Sequence, residues 1–328
     1  MYYPFMMKHY RALAAGFLLA ASMSAIAADA SSSYPVKPVR VLVGLAPGGA
    51  VDIQARWFAQ KLGAELGRQF VIDNRAGAGG LVAYQATTSA NADGYTLLVV
   101  APGLTIAPAL DRPAIDPLKD LAPISLLTKA PFVIVVAPSL PPKNLPELIA
   151  YAKAKPKEFV MAASGRTAIH LGAVWLSYAT KSNMTIITYK GANPALIDVL
   201  AGQAHATFVN VLSAVPHVKA GRLRAIAVTS LERTTSMPDV ATVSESGIPD
   251  YDVTTWNGWA APRGTPPTIV RRLNEALVRA AAAPDISQRL AEDGGTAVGS
   301  TPDAFRRHIA DEIARWKTLV QVSGMRAD

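Results

Sequence analysis

The sequence predicts an α/β protein of two successive units, each a mainly parallel sheet flanked by helices, and three observations carry that expectation. Short apolar runs bounded by Gly, Pro, Asn or Asp alternate with stretches of helical period, from "PVRVLVGL" (38–45) to a last run at about 223–228. Glycine turns follow the first and second of those runs directly. The chain has 328 residues, half of them apolar, which exceeds one ordinary core and favours two domains of roughly 100 to 150 residues.

At the N-terminus Lys8, His9 and Arg11 precede an apolar run from Ala12 to about Ile26 that ends in Ala25-Ile26-Ala27. This is the pattern of a cleaved export signal over residues 1–28, cut near Ala27 or Ala28. The run, about 15 residues, falls short of the roughly 20 that span a bilayer. The sequence has no cysteine, which excludes a disulfide framework, a lipid-modified cysteine and thiol catalysis. These features point to the periplasm. Removing residues 1–27 takes away Lys8 and Arg11 and no acid, so the formal charge falls from +8 to +6. The remaining bases are scattered among acids, which gives a weak pull on anions and no arm or aromatic-basic interleaving for a nucleic-acid partner.

The elements follow in order. After a serine-rich joint at 31–33, "PVRVLVGL" reads as a buried strand, and Val51, Ala55, Phe58, Leu62 and Leu66 then recur at helical spacing. "QFVIDN" (69–74) is the second strand, "AGAGG" (76–80) the second turn, "LVAYQATTSA" a helix, and "YTLLVVA" (95–101) the third strand after the Asp93-Gly94 turn. A βαβαβ order implies a parallel sheet covered on both faces. The second series begins at "PFVIVVAPS" (131–139), followed by a helix capped by Asn144 with Glu147 three residues on. Strands at about 159–163, 184–188, 206–209 and 223–228 then alternate with helices near 168–180, 192–201 and 213–220.

From Thr265 the pattern is wholly helical. Thr265-Pro266 and Thr301-Pro302 read as N-cap plus first-turn proline, and Phe305, Ile309, Ile313, Trp316 and Val320 line one helix face. With no strand of their own to cover, these helices are expected to return to the first unit. One lobe is then 34–130 with 253–328, the other is 131–252, and the chain crosses between them near 130 and near 253.

Helix N-termini present unpaired N–H groups and the positive end of the dipole, so a glycine turn opening a helix favours a carboxylate or phosphate. In a doubly wound sheet the turns at Gly48-Gly49 and Gly77 to Gly80 both lie at strand carboxyl ends, where ligands bind. A nucleotide loop is excluded: Gly44 and Gly49 have P-loop spacing, but Ala50 and Val51 stand where Lys and Ser or Thr are required. "GAGGLV" fails the dinucleotide fingerprint at Val82. There is no G-x-S-x-G elbow, and His170, His205, His217 and His308 fall in no metal-ligand spacing, so neither a metal nor a cofactor is expected.

The stretch "YPVKPVRVLVGLAPGGAVDIQARWFAQKLGAELGRQFVIDNRAGAGG", then "ADGYTLL", "DPLKDLAPISLL", "YKGANPALIDVLAGQ", "VPHVKAGRLRAIAVTS", "PDVATVSESGIPDY", "TWNGWAAPRGTP" and "STPDAF", resembles the tripartite tricarboxylate transporter substrate-binding proteins, the Bug family of periplasmic receptors. The resemblance covers nearly all of the mature chain. It implies a two-lobed, Venus-flytrap fold of the type II periplasmic-binding-protein class. The implied function is capture of a small organic carboxylate in the inter-lobe cleft, without catalysis, by a monomeric receptor that hands it to the large and small subunits of a membrane transporter. Presentation of the bound carboxylate to a sensor kinase is the alternative output, and an exported α/β enzyme a remote one.

By the same resemblance the cleft loops fall on Pro47, Gly48 and Gly49, on Gly77, Gly79 and Gly80, and on Gly103 and Thr105. The second lobe supplies Ser164, Gly165, Thr167 and His170, then Tyr189 and Lys190, then Asn210. Asp52, in the first helical turn, is expected to brace its loop rather than touch an anion, because two negative groups repel. The chain departs from the family at "ASGRT" (163–167), one residue short and with Arg166 among small residues, which makes Arg166 a candidate partner for a ligand carboxylate. It departs again at Ala76, Val174 and Asn257, changes that leave the fold reading intact and bear on ligand identity.

Overall fold

A computed structural model of the chain describes residues 33–110, 116–156, 158–165, 167–189, 191–292 and 294–323. The expected export signal, Arg166 and Lys190 lie outside the described residues. The first series reads β1 (Val39–Val43), α1 (Ala50–Leu66), β2 (Phe70–Asn74), α2 (Leu81–Thr88), β3 (Thr96–Val100) and the short α3 (Pro102–Ile106) and α4 (Pro117–Asp120). Then comes β4 (Leu121–Val136), a strand of 16 residues. The second series is α5 (Leu145–Ala154), β5 (Val160–Ser164), α6 (Ala168–Thr180), β6 (Thr185–Tyr189), α7 (Ala192–Leu200), β7 (Ala206–Asn210), α8 (Val211–Lys219) and β8 (Arg224–Val228). The chain closes with β9 (Thr254–Pro262), α9 (Pro267–Ala281), α10 (Pro284–Glu292), β10 (Thr296–Ala297) and α11 (Pro302–Ser323).

The strands pair in the order β2-β1-β3-β9-β4-β7-β5-β6, with β8 and β10 also on β4. Strands within each βαβ series are parallel: β1 with β2 and β3, β5 with β6 and β7. The two long strands run against them, β9 antiparallel to both β3 and β4, and β4 antiparallel to β7 and β8. Each lobe therefore keeps its parallel wing, and the centre of the molecule is antiparallel.

Two strands were not legible in the sequence as such. The stretch 121–130 carries Pro123 and is followed by Pro131, and proline cannot donate to a ladder, so the sequence reading began the strand only at 131. In the fold the ladder shifts register between Pro123 and Ser125, and Pro131, opposite Thr254, is the last β4 residue on β9 before Phe132 pairs with β7. Strand β9, "TTWNGWAAP", does not alternate because it lies mid-sheet between β3 and β4 and is buried on both faces.

The packing explains the helix periodicity. One face of the first sheet (Val39, Val41, Val43, Trp259) is covered by Phe58 and Leu62 of α1 and by Leu273 and Leu277 of α9. The other face (Leu42, Leu98, Trp256) is covered by Tyr84 of α2 and by Phe305, Ile309 and Ile313 of α11. The same helix then runs on: Trp316 and Leu319 enter the core formed by Phe132, Ile134, Phe208, Ile169 and Leu176. Helix α11 thus packs on both sheets, whereas the sequence pattern assigned the late helices to the first unit alone. Two hydrogen-bond details also bear on the caps. Asn144 and Glu147 cap α5 reciprocally as expected, Glu147 N–H donating to Asn144 Oδ1 at 3.0 Å and Lys143 N–H to Glu147 Oε2 at 2.8 Å. Thr265 instead donates its hydroxyl back to the Pro262 carbonyl at 2.8 Å, so α9 begins at Pro267 with Pro266 as its cap.

At the mid-point of α11 a buried carboxylate joins the helix to the crossing segment. Glu312 Oε2 accepts from the indole N–H groups of Trp256 (3.1 Å) and Trp316 (3.0 Å), while Arg315 donates to Glu312 Oε1 and to the Asp252 carbonyl. Glu312→Ala strands two buried indole donors and is expected to cost about 2–5 kcal/mol, read as a loss of urea stability. One turn earlier, His308 stacks edge-on against Trp256. Burial, helped by the positive charges of Lys129 and Arg315, pushes its pKa from 6.5 down to about 3. The fold holds this imidazole neutral while the unfolded chain binds its proton. Its contribution is therefore complete above pH 6.5 and is lost as pH falls from there towards about 3. His308→Gln is expected to flatten the fall in stability over that window relative to the parent chain, measured by urea titration at stepped pH.

Candidate functional site

A cavity of about 290 Å³ opens at the carboxyl ends of β1, β3 and β5, between the two sheets. The first lobe supplies Gly44 and Leu45 after β1, Val51 in the first turn of α1, Gly79 and Gly80 after β2, and Ala101 to Leu104 after β3. The second supplies Ser164 at the end of β5, with Thr167, Ala168 and Ile169 opening α6. Phe132 and Thr255, on the two crossing strands, also line it.

The first-lobe wall exists because three loops meet backbone to backbone. A Cβ on Gly44 would stand 2.6 Å from the Gly80 Cα, and one on Gly103 would stand 3.0 Å from the Gly79 carbonyl oxygen. No side chain fits at Gly44 without moving a neighbouring main chain. Glycine at these positions lets the loops after β1, β2 and β3 close on one another and bring their amides to one wall.

The loop before α1 is held by Asp52. Its side chain is 2 % exposed. It accepts from the Gly48 N–H at 2.9 Å, from Asn74 Nδ2 at 2.9 Å, and from Arg56 through two nitrogens at 3.0 Å each. Asn74 also donates to the Leu45 carbonyl at 3.1 Å, so both ends of the loop are tied. Burial pushes the Asp52 carboxyl up, but the hydrogen bonds from Arg56, Gly48 and Asn74 outweigh it and hold the group below the ordinary carboxylate range. Gly48 N–H is thereby committed to the brace. Gly49 caps the 17-residue α1 with no side-chain bond, so no cap side chain takes up the first amides of the helix.

On the other wall, Thr167 stands at the N-cap of α6 yet makes no side-chain cap bond; its hydroxyl donates to the Ser164 carbonyl at 2.7 Å. The Thr167 hydroxyl therefore does not act as the cap acceptor of α6. Two uncapped helix N-termini, one per lobe, contribute residues to the same cavity.

Of the residues expected at the cleft, Gly79, Gly80, Gly103, Ser164 and Thr167 line the cavity. Pro47, Gly48 and Gly49 are exposed on the loop between the lining residues Leu45 and Val51, and Gly77 is exposed at the foot of the second turn. The structure turns Thr105 inward: it is fully buried, and its hydroxyl donates to the Pro102 carbonyl at 2.9 Å, holding the loop from behind. Gly165 donates its N–H to the Tyr189 carbonyl at 3.1 Å, and the Tyr189 hydroxyl donates to Asp198 at 2.6 Å, within the second lobe. His170 is half-buried one residue beyond the lining, and burial pushes its pKa down. Asn210 is exposed at the start of α8.

The larger apolar lining residues, among them Leu45, Val51, Leu104, Ile106, Phe132 and Ile169, were not legible as such, because each also satisfies a helix or strand pattern. The available signal was position: Val51 and Ile169 open the helices that follow turns. Among the described residues no three His, Cys, Asp or Glu side chains stand together as metal ligands.

Residues 54–325 match the family model described as the tripartite tricarboxylate transporter family receptor. The chain is similar to protein BugT of Bordetella pertussis, 38 % identical over 308 residues that cover 91 % of this chain and 93 % of that one. It is similar to a Rhodopseudomonas palustris protein solved with adipate, at 32 % identity and a TM-score of 0.75 over 89 % of this chain and 99 % of the other. It is similar also to MatC of the same organism with bound malate, at 32 % identity and a TM-score of 0.72 over 88 % and 100 %.

Gly44→Ala is expected to cost about 1–3 kcal/mol, because the new methyl meets fixed backbone. Gly48→Ala, with φ +80° but open space around it, is expected to cost about 1–2 kcal/mol from the left-handed conformation alone. Ligand affinity separates them further: Gly44→Ala displaces the cleft wall, and calorimetry should show the larger loss there.

Proposed function

Since the chain belongs to the family of tripartite tricarboxylate transporter receptors, we propose that it captures a small organic carboxylate between its lobes and delivers it to membrane transporter subunits. The observation that carries this reading is the cavity lined from both lobes, with an uncapped helix N-terminus on each side. An anion there takes hydrogen bonds from amides already aimed at it, at little reorganisation cost. The ligand-bearing residues on this reading are Gly79, Gly80, Gly103, Ser164 and Thr167 and the loop Pro47 to Gly49.

The lobes on this reading are 34–130 with 253–328, and 131–252. Binding that touches both favours the closed arrangement over the open one by its differential contacts, and the closed shape is what the transporter reads. Residues 1–28 serve as the export signal, placing the mature receptor in the periplasm.

A carboxylate at a hundredfold excess over its dissociation constant is expected to add about 2.7 kcal/mol of stability, read as a rise in melting temperature with no turnover of the ligand. A screen of the mature chain against adipate, malate, succinate, benzoate and hexanoate, with neutral sugars as controls, tests this. Shifts with sugars and none with any carboxylate would overturn the reading.

A further inference from the structure

The cavity walls carry information about the body of the ligand as well as its head. The described lining side chains are mostly apolar, the largest of them Leu45, Val51, Leu104, Ile106, Phe132 and Ile169, and they come from both lobes and a crossing strand. The polar side chains are Ser164, Thr167 and Thr255. Of these the Thr167 hydroxyl already donates to the Ser164 carbonyl. Among the described lining residues none is charged.

Resting on the carboxylate reading above, we infer that this receptor selects monocarboxylates with an unsubstituted apolar body over hydroxy-, di- and tricarboxylates. One anionic head is served by the amides at the helix N-termini. A second carboxylate or a hydroxyl on the body would lose its water against Leu45, Val51, Leu104 or Ile106 and gain no partner there, which costs free energy at each such group. A methylene or ring edge in the same place removes apolar surface from water on both sides. Discrimination follows the same logic as any apolar pocket: polar substituents are rejected by desolvation, and chain length is accepted until the volume is filled.

The test is titration calorimetry of the mature chain with matched probes. Hexanoate and adipate share a six-carbon chain and differ by one carboxylate; malate and citrate add polar substituents; hexanamide removes the charge from hexanoate. Hexanoate is expected to bind roughly tenfold or more tighter than adipate, malate or citrate, as the loss of one well-placed apolar contact or the stranding of one polar group implies. Adipate or malate binding as tightly as hexanoate, or tighter, would overturn the inference and leave the carboxylate reading standing. Hexanamide matching hexanoate, or no binding by any of the five, would overturn the carboxylate reading and this inference with it.

A variant locates the contact. Leu45 is 43 % exposed, and Val51 is half-buried at the margin of the first core, where threonine keeps its shape. The double variant Leu45→Ser with Val51→Thr is expected to weaken hexanoate by roughly threefold to thirtyfold. Its effect on acetate, which has no body to bury, is expected to be small. Unchanged hexanoate binding in a variant whose melting temperature matches the parent, or equal loss for acetate and hexanoate, would remove the apolar wall from recognition.

Discussion

The antiparallel ladder of β4 on β9 is the constraint on which the rest of the molecule depends. It runs from Leu121 opposite Pro262 to Pro131 opposite Thr254, and β4 then continues without a break into the second sheet at Phe132. Both sheets are built outward from these two strands, so the cleft lies where the ladder changes partners, and Phe132 and Thr255 are in its wall for that reason. A buried trio ties the first lobe's cleft helix to the same place: Asn257 Nδ2 donates to Gln54 Oε1 at 2.5 Å and to Thr128 Oγ1 at 2.7 Å. Asn257's partner Gln54 lies on α1 one turn beyond Val51. Helix α11 adds a third link, with its first half in one core and Trp316 and Leu319 in the other.

What the ladder places, the loops then refine. Three glycine-bearing loops pack on each other's backbone in the first lobe, and Asp52 takes up the donors that the loop before α1 would otherwise present at random. The charge of Asp52, in the first turn of α1, is taken up by Arg56, Asn74 and Gly48. The result is a wall whose loops are set before a ligand arrives, which lowers the ordering cost of binding.

The family fixes the kind of protein, and the lining bears on which member of a chemical class it selects. The relatives solved with malate and adipate hold those ligands in those proteins. In this chain most of the described lining side chains are aliphatic or aromatic, contributed by positions that differ in role, among them a loop residue, two helix openings and a crossing strand. Lining side chains of this kind can diverge without disturbing the fold, because the loops that carry them are held by backbone packing and by Asp52.

Strand and helix periodicity, the glycine turns and the Asn144 and Thr301 caps were legible in the sequence because each depends on neighbours a few residues away. So was the bracing role of Asp52, which follows from like-charge repulsion at a helix start. The family motifs were legible for the same reason, being local strings. The 16-residue β4 was not, since Pro123 and Pro131 look like breaks until the register shift and the change of partner strand that accommodate them are seen. Nor was the difference between Thr105, turned onto Pro102, and Thr167, which stands at the cavity, because a threonine after a strand reads alike in both cases. The apolar wall and the double allegiance of α11 belong to the tertiary structure alone. A buried leucine satisfies the same periodicity whether it faces a sheet, a second lobe or a ligand, and only the packing of distant segments decides which.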